Sequence, residues 1–408
     1  MNVLHVNNVD LLGNRFNGYD MQVALNAQGI TANQVVMERM SDDPHTFALA
    51  NSFNEPFMRN RITECERGTS LHAMLYPYLF KLMDMDIFKK ADVVHYHLLH
   101  NYFGALPIIP EITRRKPSVL TIHDPWVFTG HCIHPFQCEG WKTGCNLCTN
   151  LNTYFNLQEN RAALQWAVKK SVFSKANIDL VVASQFMMDF IRNSPITSHI
   201  ERVHLIPFGI DLNVFSADRS KSEIRKKLSI PEENFAMCFR ADPGEYKGFD
   251  CIQEMLEKLR PARPVTLIAV GNQGALANFN DRYQILDYGW ITDNNLMAEL
   301  YCASDVFLMP STAESFGMMA IETMASSRPI IVCDGTALPS ITFAPECGIS
   351  IPQKDSDEMC KAVIRLMNNP NECHARGELG RKLAEKHYRF EDYVARHLKL
   401  YEELIHNR

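Results

Sequence analysis

A chain of 408 residues is long for one ordinary domain and comfortable for two. With 46% hydrophobic and 22% charged residues it has the composition of a globular protein, not of a disordered or fibrous one. A formal net charge of −6 supplies no basic footprint for nucleic acid. The opening MNVLHVNNVD has no basic n-region, and Asn and Asp break its apolar run, so a secretory signal is not expected. No run approaches the ~20 apolar residues of a membrane-spanning helix. The most apolar one, AMLYPYLFKLM (73–83), contains a Pro and a Lys. The expectation is a cytoplasmic protein that at most touches the inner face of the membrane.

In chain order, short Val-, Ile- and Leu-rich runs alternate with helix-length segments. They are NVLHV (2–6), ADVVHYHL (91–98), SVLTIHD (118–124), IDLVVAS (178–184), VHLIPFG (203–209), FAMCFRA (235–241), VTLIAVG (265–271), DVFLMPS (305–311) and PIIVCDG (329–335). Near-continuous apolar strands alternating with helices predict α/β architecture with parallel sheets covered on both faces. The strands are too many for one sheet, so two doubly wound, Rossmann-like domains are expected, with ligand at the carboxyl ends of the strands in the cleft between them. The first is placed at 1–212 and the second at 213–391, where SADRSKSEIRKK follows LIPFGIDLNVF. A C-terminal helix over 392–408 is read from the spacing of Tyr393, Leu398, Tyr401, Leu404 and Ile405, packing back toward the first domain.

The candidate sites also follow chain order. The loop 7–20 after the first strand holds Gly13 and Gly18, separated by NRFN, with Gly18 just before a helix. His95 and His97 alternate with apolar residues as satisfied core histidines would, and His123 with Asp124 ends a strand. The triplets Asp84/Asp86 and Asp355/Asp357 read as structural, the second as a helix cap. Cys132, Cys138, Cys145 and Cys148 follow the pattern C-x5-C-x6-C-x2-C. The closing C-x2-C has knuckle spacing, so a structural zinc is expected in a loop with little core of its own; His131 and His134 are alternate ligands, and four free thiols are the other reading. The remaining eight cysteines are scattered, several on strands, as small core residues. The helix 160–175 sets Leu164, Ala167, Val168 and Val172 against Arg161, Lys169, Lys170 and Lys175. It reads either as a membrane-surface helix or as a core-facing helix with a solvated basic face.

In the second half, Arg240 ends a strand and Lys247 opens the next segment, FRADPGEYKGFD. Two cations there suit a diphosphate; pairing of Arg240 with Asp242 or Glu245 is the alternative. AESFGMMAIETMASSRP (313–329) carries Glu314 in a strand-end loop and Glu322 inside the following helix. The first amides of that helix, at Phe316, Gly317 and Met318, are anion donors, and Gly317 allows close approach. An acid on either side of a bound diphosphate suits a sugar–diphosphate–nucleoside. The alternative is one acid complementing the helix dipole and one exposed helix glutamate.

PSTAESFGMMAIETMASSRPII resembles the donor-site signature of the retaining glycosyltransferases of family 4, which have the GT-B fold. The resemblance extends to YGWITDNNLMAELYCASDVFLMPS, FRADPGEYKGFD, ADVVHYH and TIHD, and covers roughly the whole chain. It implies that Glu314 contacts the donor sugar, Glu322 the ribose, and the amides near Phe316 and Gly317 the donor. It implies that Arg240 and Lys247 hold the leaving diphosphate and that His123 lies beside the donor sugar and the acceptor. It also places Gly18 near the diphosphate, although the family's paired glycines are absent. No catalytic metal is expected, because cations and amides replace it. A Cys-containing insert after HD resembles that of a subset of bacterial enzymes building surface polysaccharides.

The activity this implies is retaining transfer of a hexose-type sugar from a nucleotide-sugar to a saccharide or lipid-linked acceptor in O-antigen, capsule or exopolysaccharide synthesis. Family frequency points to UDP first and GDP second. Two other readings stand beside it: a non-catalytic nucleotide-sugar binder or assembly subunit on the same scaffold, and a sugar-nucleotide epimerase.

Overall fold

The apolar runs form parallel strands because helices cover both faces of each sheet, leaving little place for alternation. The structure, a computed structural model, describes residues 1–50 and 55–406. The chain divides into two compact units, Met1–Ile206 with Val394–Arg408, and Pro207–Tyr393. Residues 407 and 408, the end of the expected C-terminal helix, lie outside the described residues.

The first unit contains strands β1 (Asn2–Val9), β2 (Thr31–Glu38), β3 (Thr46–Ala48), β4 (Val93–His97), β5 (Ser118–Thr121), β6 (Asp179–Val182) and β7 (Val203–Leu205). Their spatial order is β3-β2-β1-β4-β5-β6-β7. The second contains β8 (Phe235–Ala241), β9 (Val265–Gly271), β10 (Gln284–Asp287), β11 (Val306–Met309), β12 (Ile330–Cys333) and β13 (Ile349–Ile351), ordered β10-β9-β8-β11-β12-β13. Each order reverses once, between β1 and β4 and between β8 and β11. In doubly wound sheets the loops leaving such a pair part to opposite faces and open a crevice at their carboxyl ends.

Each unit has its own core. Val6, Tyr96, Leu120, Trp126 and Phe128 are buried in the first, and Phe235, Phe239, Leu308 and Ile331 in the second. Each such side chain contributes about 1.5–3 kcal/mol on leaving water. Cys238, Cys251, Cys302, Cys333 and Cys347 are buried core residues, as expected, whereas Cys65 is exposed and Cys360 and Cys373 are half-buried. Asp305 locks the amino ends of β8 and β11 together. It accepts from the Ala236 amide at 2.7 Å and pairs with Lys221 at 2.6 Å and the buried Arg225 at 2.8 Å. The opposite ends of the same two strands are thereby left to hold a site.

Three differences from the sequence reading matter. The division falls at 206/207, not 212/213, because the intervening residues pack into the second unit. Ile210 bridges to Arg389, Gly209 lies against the backbone of Arg389 and Phe390, and Phe208 packs on Phe316 and Tyr393. The helix Ala162–Phe173 buries Ala162, Gln165, Trp166, Lys169, Val172 and Phe173, leaving Leu164 and Ala167 exposed. The assigned apolar set is thus only partly the buried face, and Lys169 does not belong to the basic one. Finally, the cysteine loop has a core of its own: Trp141 is buried, its carbonyl accepts from Trp166 Nε1 at 2.9 Å, and its ring packs on Phe190. No helix among the described residues is long and apolar enough to cross a membrane.

Candidate functional site

In the second unit, the loops leaving β8 and β11 meet at the reversal point. Gly248 brings them together. It adopts φ +67, and a Cβ there would stand 2.1 Å from the carbonyl oxygen of Pro310, just beyond β11. The Thr312 amide donates to the Tyr246 carbonyl at 3.0 Å, closing the same seam. As a result Lys247 Nζ donates to Glu314 Oε1 at 2.7 Å. Both side chains stay partly open to solvent, at 28% and 16% exposure.

Arg240 sits near the end of β8 and donates through Nη2 to Asp242 at 2.6 Å. The pairing expected of a structural arginine is therefore present. Its Nε, in contrast, has no acceptor among the described residues. Burial pushes the Asp242 carboxyl up, but the Gly244 amide and the Arg240 guanidinium outweigh it and hold the carboxyl below its usual range. Both cations are thus already neutralised by neighbouring acids, and an incoming anion must exchange with those partners.

Gly317 caps the helix Met318–Ala325 with φ +103 and offers no side chain to its amides. A Cβ there would meet Leu338 at 2.5 Å, so packing as well as ligand approach demands glycine. The Phe316 ring is buried against Phe208 and Tyr388, which leaves its backbone as the part able to face a ligand. Met318 opens the helix. Glu322 is not the exposed helix glutamate of the alternative reading. It is 1% exposed and accepts from the Tyr301 hydroxyl at 3.0 Å. Sequence reasoning did not name Tyr301, and its position in the helix Asn294–Ala303 carries no signal for that contact.

In the first unit, Gly18 (φ +94) also stands at the reversal point, capping the helix Tyr19–Ala27. A Cβ there would lie 2.6 Å from His5 Nδ1 and 2.9 Å from His97 Nε2. The glycine therefore makes room for a histidine pair. His5 Nδ1 is 3.3 Å from His97 Nε2, and His97 Nδ1 is 3.2 Å from His123 Nε2. His95 is satisfied separately, by Tyr401 Oη at 2.6 Å and Thr121 Oγ1 at 2.7 Å.

His5 Nε2 is buried without a partner. A buried bare N–H is the rarer orphan, so the His5 proton belongs on Nδ1. His5 then donates to His97 and His97 to His123, which leaves the His123 proton on Nδ1. The sequence reads His97 as a satisfied core histidine and does not single out His5; the alternation H-V in β1 and H-Y-H in β4 was the available signal. His5, His95 and His97 also form the group of three or more metal-ligating side chains found within 4.8 Å of one another among the described residues. With both His95 nitrogens bonded, hydrogen bonding accounts for the cluster.

Burial holds these rings neutral, lowering His5 to about 3 and His123 to about 4, with His95 and His97 well below the ordinary value. Below pH 6.5 the unfolded chain binds protons that the folded one refuses, so stability falls as pH drops through that value toward the folded values. Each such ring removes up to about 1.4 kcal/mol per pH unit. Thermal unfolding between pH 7 and 5 is expected to show this acid-side loss, with a shallower slope for His97→Gln. A Tm that does not move over that range would contradict the neutral chain of imidazoles.

Cys132 and Cys145 lie beside Lys169, but among the described residues no three of the four expected ligand sulfurs lie within 4.8 Å of one another, so the expected four-cysteine set is not assembled here. The Lys169 ammonium is buried and donates to the carbonyls of Trp126 (2.6 Å), Thr129 (2.9 Å) and Gly130 (3.3 Å). Cys145 Sγ accepts from the Gly130 amide at 3.2 Å, and Cys148 Sγ lies 3.4 Å from His131 Nε2. Burial raises Cys132 and pushes Cys145 up to about 11, so both are thiols without a metal. Among the D-x-D acids, Asp355 caps the helix Ser356–Asn368 through the Glu358 amide at 2.9 Å. Asp86 stands in the first turn of the helix Asp86–Lys90.

Comparison with known proteins gives matches in both units. A model described as Glycosyltransferase Family 4 matches residues 38–214, and one described as Glycosyl transferases group 1 matches residues 233–369. WcaC of Escherichia coli K12, provisionally named a colanic acid biosynthesis glycosyl transferase, is 23% identical over 72% of this chain and 77% of its own. A D-inositol 3-phosphate glycosyltransferase of Corynebacterium jeikeium is 24% identical over 78% and 74%. Among solved structures, sucrose-phosphate synthase of Thermosynechococcus elongatus superposes with TM-score 0.70 at 18% identity, covering 100% of both chains. HepE of Anabaena in complex with UDP gives 0.66 at 14%, covering 99% of this chain and 100% of its own. WaaG, involved in lipopolysaccharide biosynthesis, gives 0.65 at 15%, covering 94% and 95%.

Proposed function

The chain has the GT-B fold, its two units matching family 4 and group 1 glycosyltransferase models, and from that premise we propose that it transfers a hexose-type sugar from a nucleotide-sugar to a saccharide or lipid-linked acceptor with retention of configuration. The observation that carries the reading is the 2.7 Å pair of Lys247 and Glu314 at the reversal point of the second sheet, beside a glycine-capped helix. UDP is the preferred nucleotide, supported by HepE, a neighbour solved with UDP. Surface-polysaccharide synthesis is the preferred setting, supported by the names of WcaC and WaaG.

In this reading the donor diphosphate takes Lys247 and Arg240 from their carboxylate partners and lies against the amides at Phe316, Gly317 and Met318. Glu314, freed from Lys247, accepts from sugar hydroxyls, and Glu322 from the ribose. His123, in the first unit, is proposed to serve the acceptor. The acceptor hydroxyl oxygen bonds to the anomeric carbon as the bond to the diphosphate oxygen breaks. The electron pair leaves with the diphosphate, where the two cations stabilise it, and the acceptor proton passes to the departing phosphate oxygen. Attack and departure share one face, so the configuration is kept without a covalent intermediate.

Incubation with UDP-, GDP- and dTDP-sugars tests the proposal. Release of nucleoside diphosphate from one donor is expected; absence of binding to every donor, measured by calorimetry, would overturn it. An epimerase would instead return an altered nucleotide-sugar with no nucleotide released.

Cys132, Cys138, Cys145 and Cys148 are proposed to hold a structural zinc, supplying loop closure and no chemistry. The four-sulfur donor set suits that ion. Burial lowers Lys169 to about 7, and metal-bound thiolates at Cys132 and Cys145 would raise it again and hold it charged. One zinc per chain is expected by elemental analysis. Chelation, or Cys145→Ser with Cys148→Ser, should release it and lower Tm by several degrees. Metal-free protein of unchanged Tm would contradict the site.

A further inference from the structure

Of the four tryptophans, Trp126, Trp141 and Trp166 are at most 9% exposed, whereas Trp290 is 69% exposed. A single exposed apolar residue is ordinary, but this one is held. It lies just beyond the carboxyl end of β10, in the second unit. The Tyr288 amide donates to the Ala269 carbonyl at 3.0 Å, and the Gly271 amide donates to the Gly289 carbonyl at 2.7 Å, tying the loop to β9 on both sides. The guanidinium of Arg240 stands over the indole, 5.1 Å from its centroid. Gly271 makes that reach possible, since a Cβ there would lie 2.9 Å from the Ala241 carbonyl oxygen and 3.6 Å from Arg240 Cγ.

One face of the ring is therefore occupied by the cation assigned to the diphosphate, and the remainder is open. A planar group joined to that diphosphate through one ribose is the natural occupant, because every nucleobase presents a π-face to an aromatic platform. We propose that Trp290 is the stacking platform for the donor nucleobase and at the same time the residue that holds Arg240 for the diphosphate. The inference rests on the reading of this unit as the nucleotide-sugar site. The donor sugar ring, the other group attached to the diphosphate, is assigned to Glu314 instead.

The test uses intrinsic fluorescence and calorimetry on the full chain, titrated with UDP, GDP and the matching nucleotide-sugars. The other tryptophans being buried, Trp290 dominates the solvent-exposed emission. Free nucleoside diphosphate, which carries no sugar, is expected to quench it. Trp290→Ala is expected to abolish that quench and to weaken nucleotide binding roughly tenfold. Trp290→Phe should restore most of the affinity, with Tm unchanged in both. Equal nucleotide affinity in wild type and Trp290→Ala would overturn the platform while leaving the donor site standing. Quenching by nucleotide-sugar but not by free nucleotide would overturn it in favour of the sugar ring. Failure of the wild type to bind any nucleotide would overturn both the platform and the reading on which it rests.

Discussion

Replacing Lys247 by alanine is expected to cut the rate of donor cleavage by about 10²–10³-fold, the typical cost of removing one preorganised donor to a developing oxyanion. Glu314→Ala should match it for a different reason. It removes the acceptor for sugar hydroxyls and also frees Lys247 from the 2.7 Å bond that aims it. The two effects share a partner, so the double variant should lose far less than the product of the single losses. Stability should hardly respond, because an ion pair with 28% and 16% exposed side chains belongs to the class worth about 0–1 kcal/mol. The expected signature is thus a collapse of kcat with Tm moved by no more than about 2–4 °C. Steady-state nucleotide release beside thermal unfolding reads both. Loss of Tm and activity together would mean the pair is structural.

Gly248→Ala is expected to be nearly as damaging to activity and, unlike the first pair, to destabilise the fold. The left-handed φ of +67 alone costs a β-carbon about 1 kcal/mol. The added methyl would also lie 2.1 Å from one backbone atom of Pro310 and 2.8 Å from another, which no rotamer change relieves. The loop after β8 must therefore draw away from the loop after β11, parting Lys247 from Glu314. A total loss of about 1–3 kcal/mol is expected. Gly29→Ala supplies the control: its φ is +79, but nothing lies within 4 Å of the added carbon. It should show the strain alone, with activity kept. Equal behaviour of the two variants would contradict the seam.

Much of this was legible because it is written in local pattern. The strands β1, β4, β5, β6, β7, β8, β9, β11 and β12 announced themselves as apolar runs, and Gly-before-helix marked the loops at 18, 248 and 317. The edge strands β3 (TFA), β10 (QILD) and β13 (ISI) were missed, each offering only two apolar residues to mark it. β2 was missed because Asn33 and Gln34 interrupt it; Gln34 is nonetheless buried and donates to the Asn17 carbonyl. Partners distant in sequence were the harder class. Nothing in WAVKKSVF says that Lys169 is buried while Lys170 is exposed, because three carbonyls some 40 residues upstream make the difference. Nor does ETMAS reveal that Glu322 meets Tyr301, or DYGWIT that Trp290 lies under Arg240. Residue types at the site could be listed from the chain; their pairing is a property of the sheet order that brings β8 beside β11.

The most direct test of the central claim is real-time proton NMR of the purified protein with the nucleotide-sugar that it turns over. The donor anomeric signal is expected to fall, nucleoside diphosphate to grow in step, and the released or transferred sugar to appear first in the donor's own anomeric configuration. A first product of opposite configuration, or a donor left intact while the protein is shown to bind it with acceptor saccharides present, would contradict it.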